Sequence, residues 1–274
     1  MTTVAAMICA DGLVMGSDTK VVSEGSGIKW SANKLTTAML GDSPLVIGCA
    51  GRLRHMQDAI GWMSLDELGG ILGADTSFDK FLDAVVERAI PAFSNDYRAK
   101  YGVLPELEML IGCIDTNDKP RLVNVYADGD YDYVKDCIAI GSGSIFGEIL
   151  QRKLYTADIN VKFAKRLIGY IIWEIQAIDN NSGEDMQIVC IGCDKKQYEA
   201  SNTEVAAYKQ LPDLLRKSYN AIRHELEGIN IDSIEHAIES MRGAIGLSEI
   251  PSPKPERGME EQTWQDQRKH RKKS

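Results

Sequence analysis

"MTTVAAMICADGLVMGSDTK" occupies residues 1–20 and decides how the chain is read. Two threonines lead directly into an apolar run, a glycine turn at Gly12 follows, and a second apolar run ends in Asp18 and Lys20. The pattern reads as two short strands joined by a tight turn. Nothing in it resembles a basic stretch followed by an apolar core, so no secretory signal is expected. On their own the threonines are ordinary strand residues. They gain a second meaning if Met1 is trimmed, as is usual before a small residue. Thr2 would then carry a hydroxyl and an α-amine on one residue. An α-amine has a pKa of about 8, so it can act as the base that a threonine hydroxyl lacks.

The chain has 274 residues, 44% of them apolar, with a formal net charge of −9. That length suits one sizeable domain with an appendage. The dispersed acidity argues against a general nucleic-acid binder. No run reaches 18 uninterrupted apolar residues, so no membrane span is expected. The six cysteines (Cys9, Cys49, Cys113, Cys137, Cys190 and Cys193) sit in apolar stretches and read as buried free thiols in a reducing, cytoplasmic setting. Cys190 and Cys193 form a CxxC within "MQIVCIGCD". Residues three apart on a strand point to opposite faces, so the pair reads as structural. The histidines at 55, 224, 236 and 270 show no metal spacing. No metal or cofactor is expected.

Further strands are predicted at "KLTTAML", "PLVIGCAG", "ELEMLIGCID", "PRLVNVYAD", "YVKDCIAIG" and "MQIVCIGCD". Helical spacing runs through "FDKFLDAVVERAIPAFSNDYRAKY", with Pro91 expected to bend or divide it. Two more helices are read at "SIFGEILQRKLY" and "VKFAKRLIGYIIWEIQAID", the latter apolar enough to lie buried between layers. Residues 203–247 read as two further helices. Helices thus come in pairs between groups of strands. This favours antiparallel sheets covered by helix pairs, an α+β four-layer αββα sandwich, over a doubly wound parallel sheet. The expected organisation is a sandwich domain over 1–200, a helical extension over 201–250 and a disordered polar tail over 251–274 ending in "RKHRKKS".

Asp18 closes the second strand, Lys34 opens the third, and Gly51 follows the apolar "VIGCA". An acid and a lysine at strand ends are usually solvated. If they converge on Thr2 they acquire roles: Lys34 stabilises an alkoxide, Asp18 keeps Lys34 charged and oriented, and the Gly51 N–H offers an oxyanion donor.

Thr2, Asp18, Lys34 and the Ala50–Gly51 pair resemble, in order and spacing, the pattern of proteasome-type β subunits, which are N-terminal nucleophile hydrolases. "AIGSGS" is similar to that family's glycine-serine turn, and "IDNNSGED" to its Asp-x-x-Ser-Gly motif. The resemblance covers about residues 2–200 and points to an archaeal-type or ancestral bacterial β-type branch. It implies a threonine-type peptidase in which Ser142, Asp179 and Ser182 fix the threonine's amine and a water. It also implies that Val21, Ala32, Cys49 and Leu53 line the pocket for the residue before the cut, with a preference for apolar or small side chains. By the same resemblance the substrate is a peptide or unfolded protein, the assembly is a homo-oligomeric ring or spiral of six or seven subunits per turn, and an ATPase or unfoldase is a potential partner.

The sequence departs from the pattern in several places. The loop between Lys34 and Gly51 is longer, Lys20 stands where arginine is common, and residues 203–274 extend the chain. Three alternatives stay open: an inactive ring subunit, an amidohydrolase or transpeptidase acting on a small amide, and an adaptor working through the basic tail.

Overall fold

The computed structural model describes residues 2–22, 29–64, 77–179, 182–183, 185–208 and 210. Of the predicted elements, the extension beyond residue 210 and the tail over 251–274 lie outside the described residues.

The first two strands are β1 (Thr3–Cys9) and β2 (Gly12–Asp18). They pair antiparallel, with Val4 opposite Ser17 and Cys9 opposite Gly12. A short hairpin follows, β3 (Lys20–Val22) with β4 (Lys29–Ser31). β5 (Leu35–Leu40) and β6 (Ser43–Gly51) form a second antiparallel pair. Three helical segments come next: α1 (Leu53–Ser64), α2 (Phe78–Ala84) and, after a π-helical turn over Val85–Ala89, α3 (Ile90–Tyr101). Then come β7 (Leu107–Ile114), β8 (Pro120–Tyr126), β9 (Tyr131–Tyr133) and β10 (Cys137–Gly141). The helices α4 (Ser144–Leu154) and α5 (Val161–Ile178), the strands β11 (Met186–Gly192) and β12 (Gln197–Glu199), and the helix α6 (Asn202–Tyr208) complete the described chain.

The strands build two five-stranded sheets, ordered β10-β1-β2-β11-β12 and β5-β6-β7-β8-β9, and every pairing is antiparallel. Side-chain alternation between two buried faces explains why β1 is apolar from Val4 to Cys9. Val4 and Ala6 face a core between the sheets, shared with Met15, Val46, Leu110 and Leu122. Ala5, Met7 and Cys9 face the opposite way, into a core with Ile168, Ile171 and Ile172 of α5. A third core joins Ile47, Cys49 and Met109 of the other sheet to Phe81, Ile90 and Phe93 of the α2–α3 region. The order is therefore helix, sheet, sheet, helix. Each fully buried large aliphatic residue, such as Leu13 or Ile111, contributes roughly 1.5–3 kcal/mol by leaving water.

Three local expectations need correction, and the one at Pro91 is made specific. "YVKDCIAIG" is not one strand: β9 ends at Tyr133 in one sheet and β10 begins at Cys137 in the other. The chain crosses between sheets at Lys135 and Asp136, where the Asp136 carbonyl accepts from the Ile8 N–H at 2.7 Å. Pro91 sits at the first turn of α3, and the break in the regular helix falls just ahead of it, at the π-helical turn Val85–Ala89. The π turn ahead of it closes with Ile90 N–H on the Val85 carbonyl, which accommodates the N–H that proline lacks. α1 also forms where no separate helix was predicted. Finally, α5 is an outer-layer helix. Its isoleucines meet the first sheet, while Phe163 and Ile178 remain more than half exposed.

Candidate active site

Asp18 ends β2 with its side chain fully buried, and its two oxygens organise the start of the chain. Oδ1 accepts from the Thr3 N–H and from Lys34 Nζ, both at 2.8 Å. Oδ2 accepts from the N–H groups of Lys20 at 3.2 Å and Gly183 at 3.3 Å. Lys34 Nζ donates again, to the Lys20 carbonyl at 2.7 Å. Both side chains of this ion pair are 0% exposed. Burial lowers the Lys34 pKa from its ordinary value, and the attraction of Asp18 works against that fall. Desolvating two charges is costly, and only such a fully bonded geometry offsets it.

Lys34 is also held by its main chain. Gln187 Oε1, reaching across from β11, accepts from the N–H groups of Lys34 at 2.9 Å and Leu35 at 3.3 Å. No feature of the sequence singled out Gln187. It occupies an ordinary alternating strand position, directly opposite Ser17 in the register.

Thr2 precedes β1 and is 3% exposed. Its carbonyl accepts from the Ser142 N–H at 2.9 Å. Gly141 makes that approach feasible. Its φ is +89°, and a Cβ there would stand 1.9 Å from the Thr2 carbonyl oxygen. Ser142 Oγ donates to Asp179 Oδ2 at 2.7 Å, and Ser182 Oγ donates to the same oxygen at 3.0 Å. Ser182 Oγ also lies 2.9 Å from the Thr3 hydroxyl, and its carbonyl accepts from Lys20 Nζ at 3.3 Å. Ser142, Asp179 and Ser182 thus form one cluster, joined to the Asp18–Lys34 pair through Thr3.

A cavity of about 450 Å³ opens beside Thr2, with Gly51, Gly141 and Ser142 in its wall. Gly51 has φ +128°, and a Cβ would meet the Glu106 carbonyl oxygen at 2.0 Å. Of the predicted pocket residues, Val21 and Leu53 line the cavity. Ala32 lies outside that lining, its N–H bonded to the Thr19 carbonyl at 2.8 Å. Cys49 is fully buried in the core between its sheet and the helices. The cavity wall is instead completed by Val22, Trp30 and Met56, which the sequence reading did not select. Trp30, exposed on the β3–β4 hairpin, and Met56, one turn into α1, reach the cavity through elements that periodicity did not reveal.

The cysteines face away from this chemistry. Burial pushes the thiols of Cys9, Cys49 and Cys113 up to about 12. Cys190 packs against the helices and Cys193 against the core between the sheets. Among the described residues no group of His, Cys, Asp and Glu could hold a metal, and no helix is long and apolar enough to cross a membrane.

Two facing antiparallel sheets with helices on both outer faces form the four-layer sandwich of the N-terminal nucleophile hydrolase fold. The model for proteasome subunits matches residues 1–191, and the chain belongs to that family. Among solved structures, Anbu (ancestral β-subunit) from Yersinia bercovieri superposes with a TM-score of 0.69 over 84% of this chain and 100% of that one, at 16% identity. A Gly-1 mutant of Anbu from Hyphomicrobium sp. strain MC1 gives a TM-score of 0.68 at 16% identity, covering 84% of this chain and 98% of that one. Anbu from Pseudomonas aeruginosa, solved as a helical assembly of the Anbu complex, gives 0.65 at 20% identity, over 83% of this chain and 97% of that one. At these identities the likeness shows the fold. No curated protein matches the chain.

Proposed function

We propose that the chain is a threonine-type peptidase acting through Thr2 after removal of Met1. The observation that carries this reading is the shared carboxylate oxygen of Asp18, which binds both Lys34 Nζ and the Thr3 N–H at 2.8 Å. A buried cation is thereby fixed to the backbone next to the nucleophile. In the proposed reaction the Thr2 hydroxyl attacks the peptide carbonyl carbon. Its proton passes to the residue's own α-amine, through a water held by Ser142 and Ser182. Lys34 stabilises the alkoxide, and the Gly51 N–H holds the tetrahedral oxyanion. The C–N bond breaks, the departing amine takes the proton, and water hydrolyses the acyl ester on Thr2. Asp179 orients both serines through its single Oδ2. The apolar side chains of Val21, Val22, Leu53 and Met56 favour an apolar residue before the cut.

The same proposal includes a homo-oligomeric ring or spiral enclosing Thr2. The helical assembly of the P. aeruginosa relative supports this. So does the outer face of α4, where Ile145 and Ile149 stand exposed one turn apart. A cytoplasmic site and an unfoldase partner belong to the reading as well. Turnover of a fluorogenic peptide library by the native protein, Thr2→Ser and Thr2→Ala tests it. Cleavage that disappears in Thr2→Ala is expected, and unchanged cleavage in that variant would contradict the reading.

A further inference from the structure

A second cavity, about 740 Å³, lies between α1 and α3. It shares Arg52, Arg54 and Gln57 with the cavity at Thr2, so the first turn of α1 is the ridge between the two. The far wall carries Tyr97, Lys100 and Tyr101. The two tyrosine rings lie 4.5 Å apart, and His55 meets the Tyr97 ring edge-on at 4.5 Å. Three cations line the cavity, each beside a carboxylate: Arg54 with Asp58, Lys100 with Asp96, and Arg52, whose Nε donates to Glu106 Oε2 at 3.2 Å.

The ion pairs here are surface pairs. Arg54 Nε lies 3.7 Å from Asp58, and Lys100 Nζ lies 2.7 Å from Asp96, each within one helix at i,i+4 spacing. The cationic side chains are 83% and 61% exposed. Pairs of this kind hold weakly and exchange readily. Asp96 raises the Lys100 pKa, while Arg54, from the other helix, opposes it. Both cations line the same cavity, Arg54 from α1 and Lys100 from α3. An incoming carboxylate set between them would be held from two separate elements, with tyrosine faces excluding water on one side.

We infer that this second cavity is a distal subsite for the same peptide, which crosses the Arg52–Arg54 ridge from the Thr2 cavity and presents a carboxylate to Arg54 and Lys100. The inference rests on the peptidase reading for its ligand. It adds the substrate class: peptides carrying Asp, Glu or a free C-terminal carboxylate a few residues from the cleaved bond. An extended peptide advances about 3.3 Å per residue, so a short extension suffices to pass the ridge.

The test uses three peptides with the same cleaved segment: one short, one extended by four residues including Glu, and one with Lys in its place. They are assayed on the native protein, Arg54→Glu and Lys100→Glu. The Glu extension should exceed the Lys extension in kcat/KM by roughly three- to tenfold. The gap should close or invert in both variants, while Lys100→Glu, whose side chain lies outside the cavity at Thr2, cleaves the short peptide at the native rate. Equal rates for the two extensions, or a preference that survives both charge reversals, would overturn the inference. Fluorescence anisotropy of the labelled Glu peptide on Thr2→Ala separates this failure from failure of the catalytic reading. Acid-selective binding lost in Thr2→Ala/Lys100→Glu, with no cleavage by the native protein, supports the subsite and removes the peptidase. Cleavage without acid selectivity does the reverse.

Discussion

Asp18 Oδ1 accepts from the Thr3 N–H and Lys34 Nζ at the same distance, 2.8 Å. One buried oxygen thus couples the backbone beside the proposed nucleophile to the proposed catalytic cation. A disturbance of either partner reaches the other through a single atom.

Lys34→Ala leaves Asp18 as a buried charge without its cation. Breaking such a pair costs about 3–5 kcal/mol, so the variant should lose stability as well as turnover. Turnover should fall by about two orders of magnitude or more, the scale of one lost transition-state contact. Lys34→Arg should fail too, because a guanidinium cannot occupy a fully buried slot closed by Asp18 and the Lys20 carbonyl. Urea unfolding beside peptide turnover measures both effects. Near-native turnover in folded Lys34→Ala would show that the lysine is structural.

Gln187 is expected to act by positioning Lys34. Gln187→Leu leaves two backbone N–H groups without their acceptor, a loss of about 1–3 kcal/mol. Because Gln187 does not line the cavity at Thr2, kcat should drop with little change in KM. Gln187→Glu keeps the accepting oxygen and should restore most of kcat. Steady-state kinetics on the three proteins decides; a KM effect without a kcat effect would assign Gln187 to substrate binding instead.

The extent to which the sequence disclosed this site follows from what each residue depends on. Asp18 and Lys34 were legible because charged residues at the ends of apolar strands stand out, and the glycine-serine turn at 141–142 carries its own signal. Gln187 was silent because its role depends on a contact between two sheets, which strand alternation cannot reveal. Cys49 was placed in the pocket by resemblance, yet its position in β6 turns it toward the helices. Met56 and Trp30 take the wall instead, from a helix and a hairpin that local pattern did not separate. The four-layer order was readable from paired helices between groups of strands. The crossing between β9 and β10 was not, since a continuous run of strand-forming residues conceals a change of sheet.

The lowered pKa of Lys34 gives a pH signature. Its charged form is lost in the folded protein below the ordinary 10.5. The unfolded chain keeps that proton up to the ordinary value. Between the two values the unfolded state binds more protons, so this group's contribution to stability rises with pH. Activity that needs the lysine's charge falls over the same window. A pH profile of kcat/KM should therefore show an alkaline limb below 10.5 while the protein remains folded. An alkaline limb at or above 10.5 would contradict the assignment.

Gly141→Ala should be severe. The added Cβ would fall 1.9 Å from the Thr2 carbonyl oxygen, at φ +89°. The backbone strain alone costs about 1–3 kcal/mol, and relief requires Thr2 to move. Gly61→Ala is the contrast. It lies in α1 with nothing within 4 Å of the new Cβ, so the helix should gain up to about 1 kcal/mol. Thermal melts of both variants, with turnover alongside, check the pair. Native turnover in Gly141→Ala would mean that the placement of Thr2 tolerates displacement.

The most direct measurement is intact mass and peptide mapping after treatment with a threonine-directed electrophile. The account predicts a chain lacking Met1 that carries one adduct, mapped to Thr2 and absent from Thr2→Ala. Active protein that uniformly retains Met1, or an adduct on a residue other than Thr2, would contradict it.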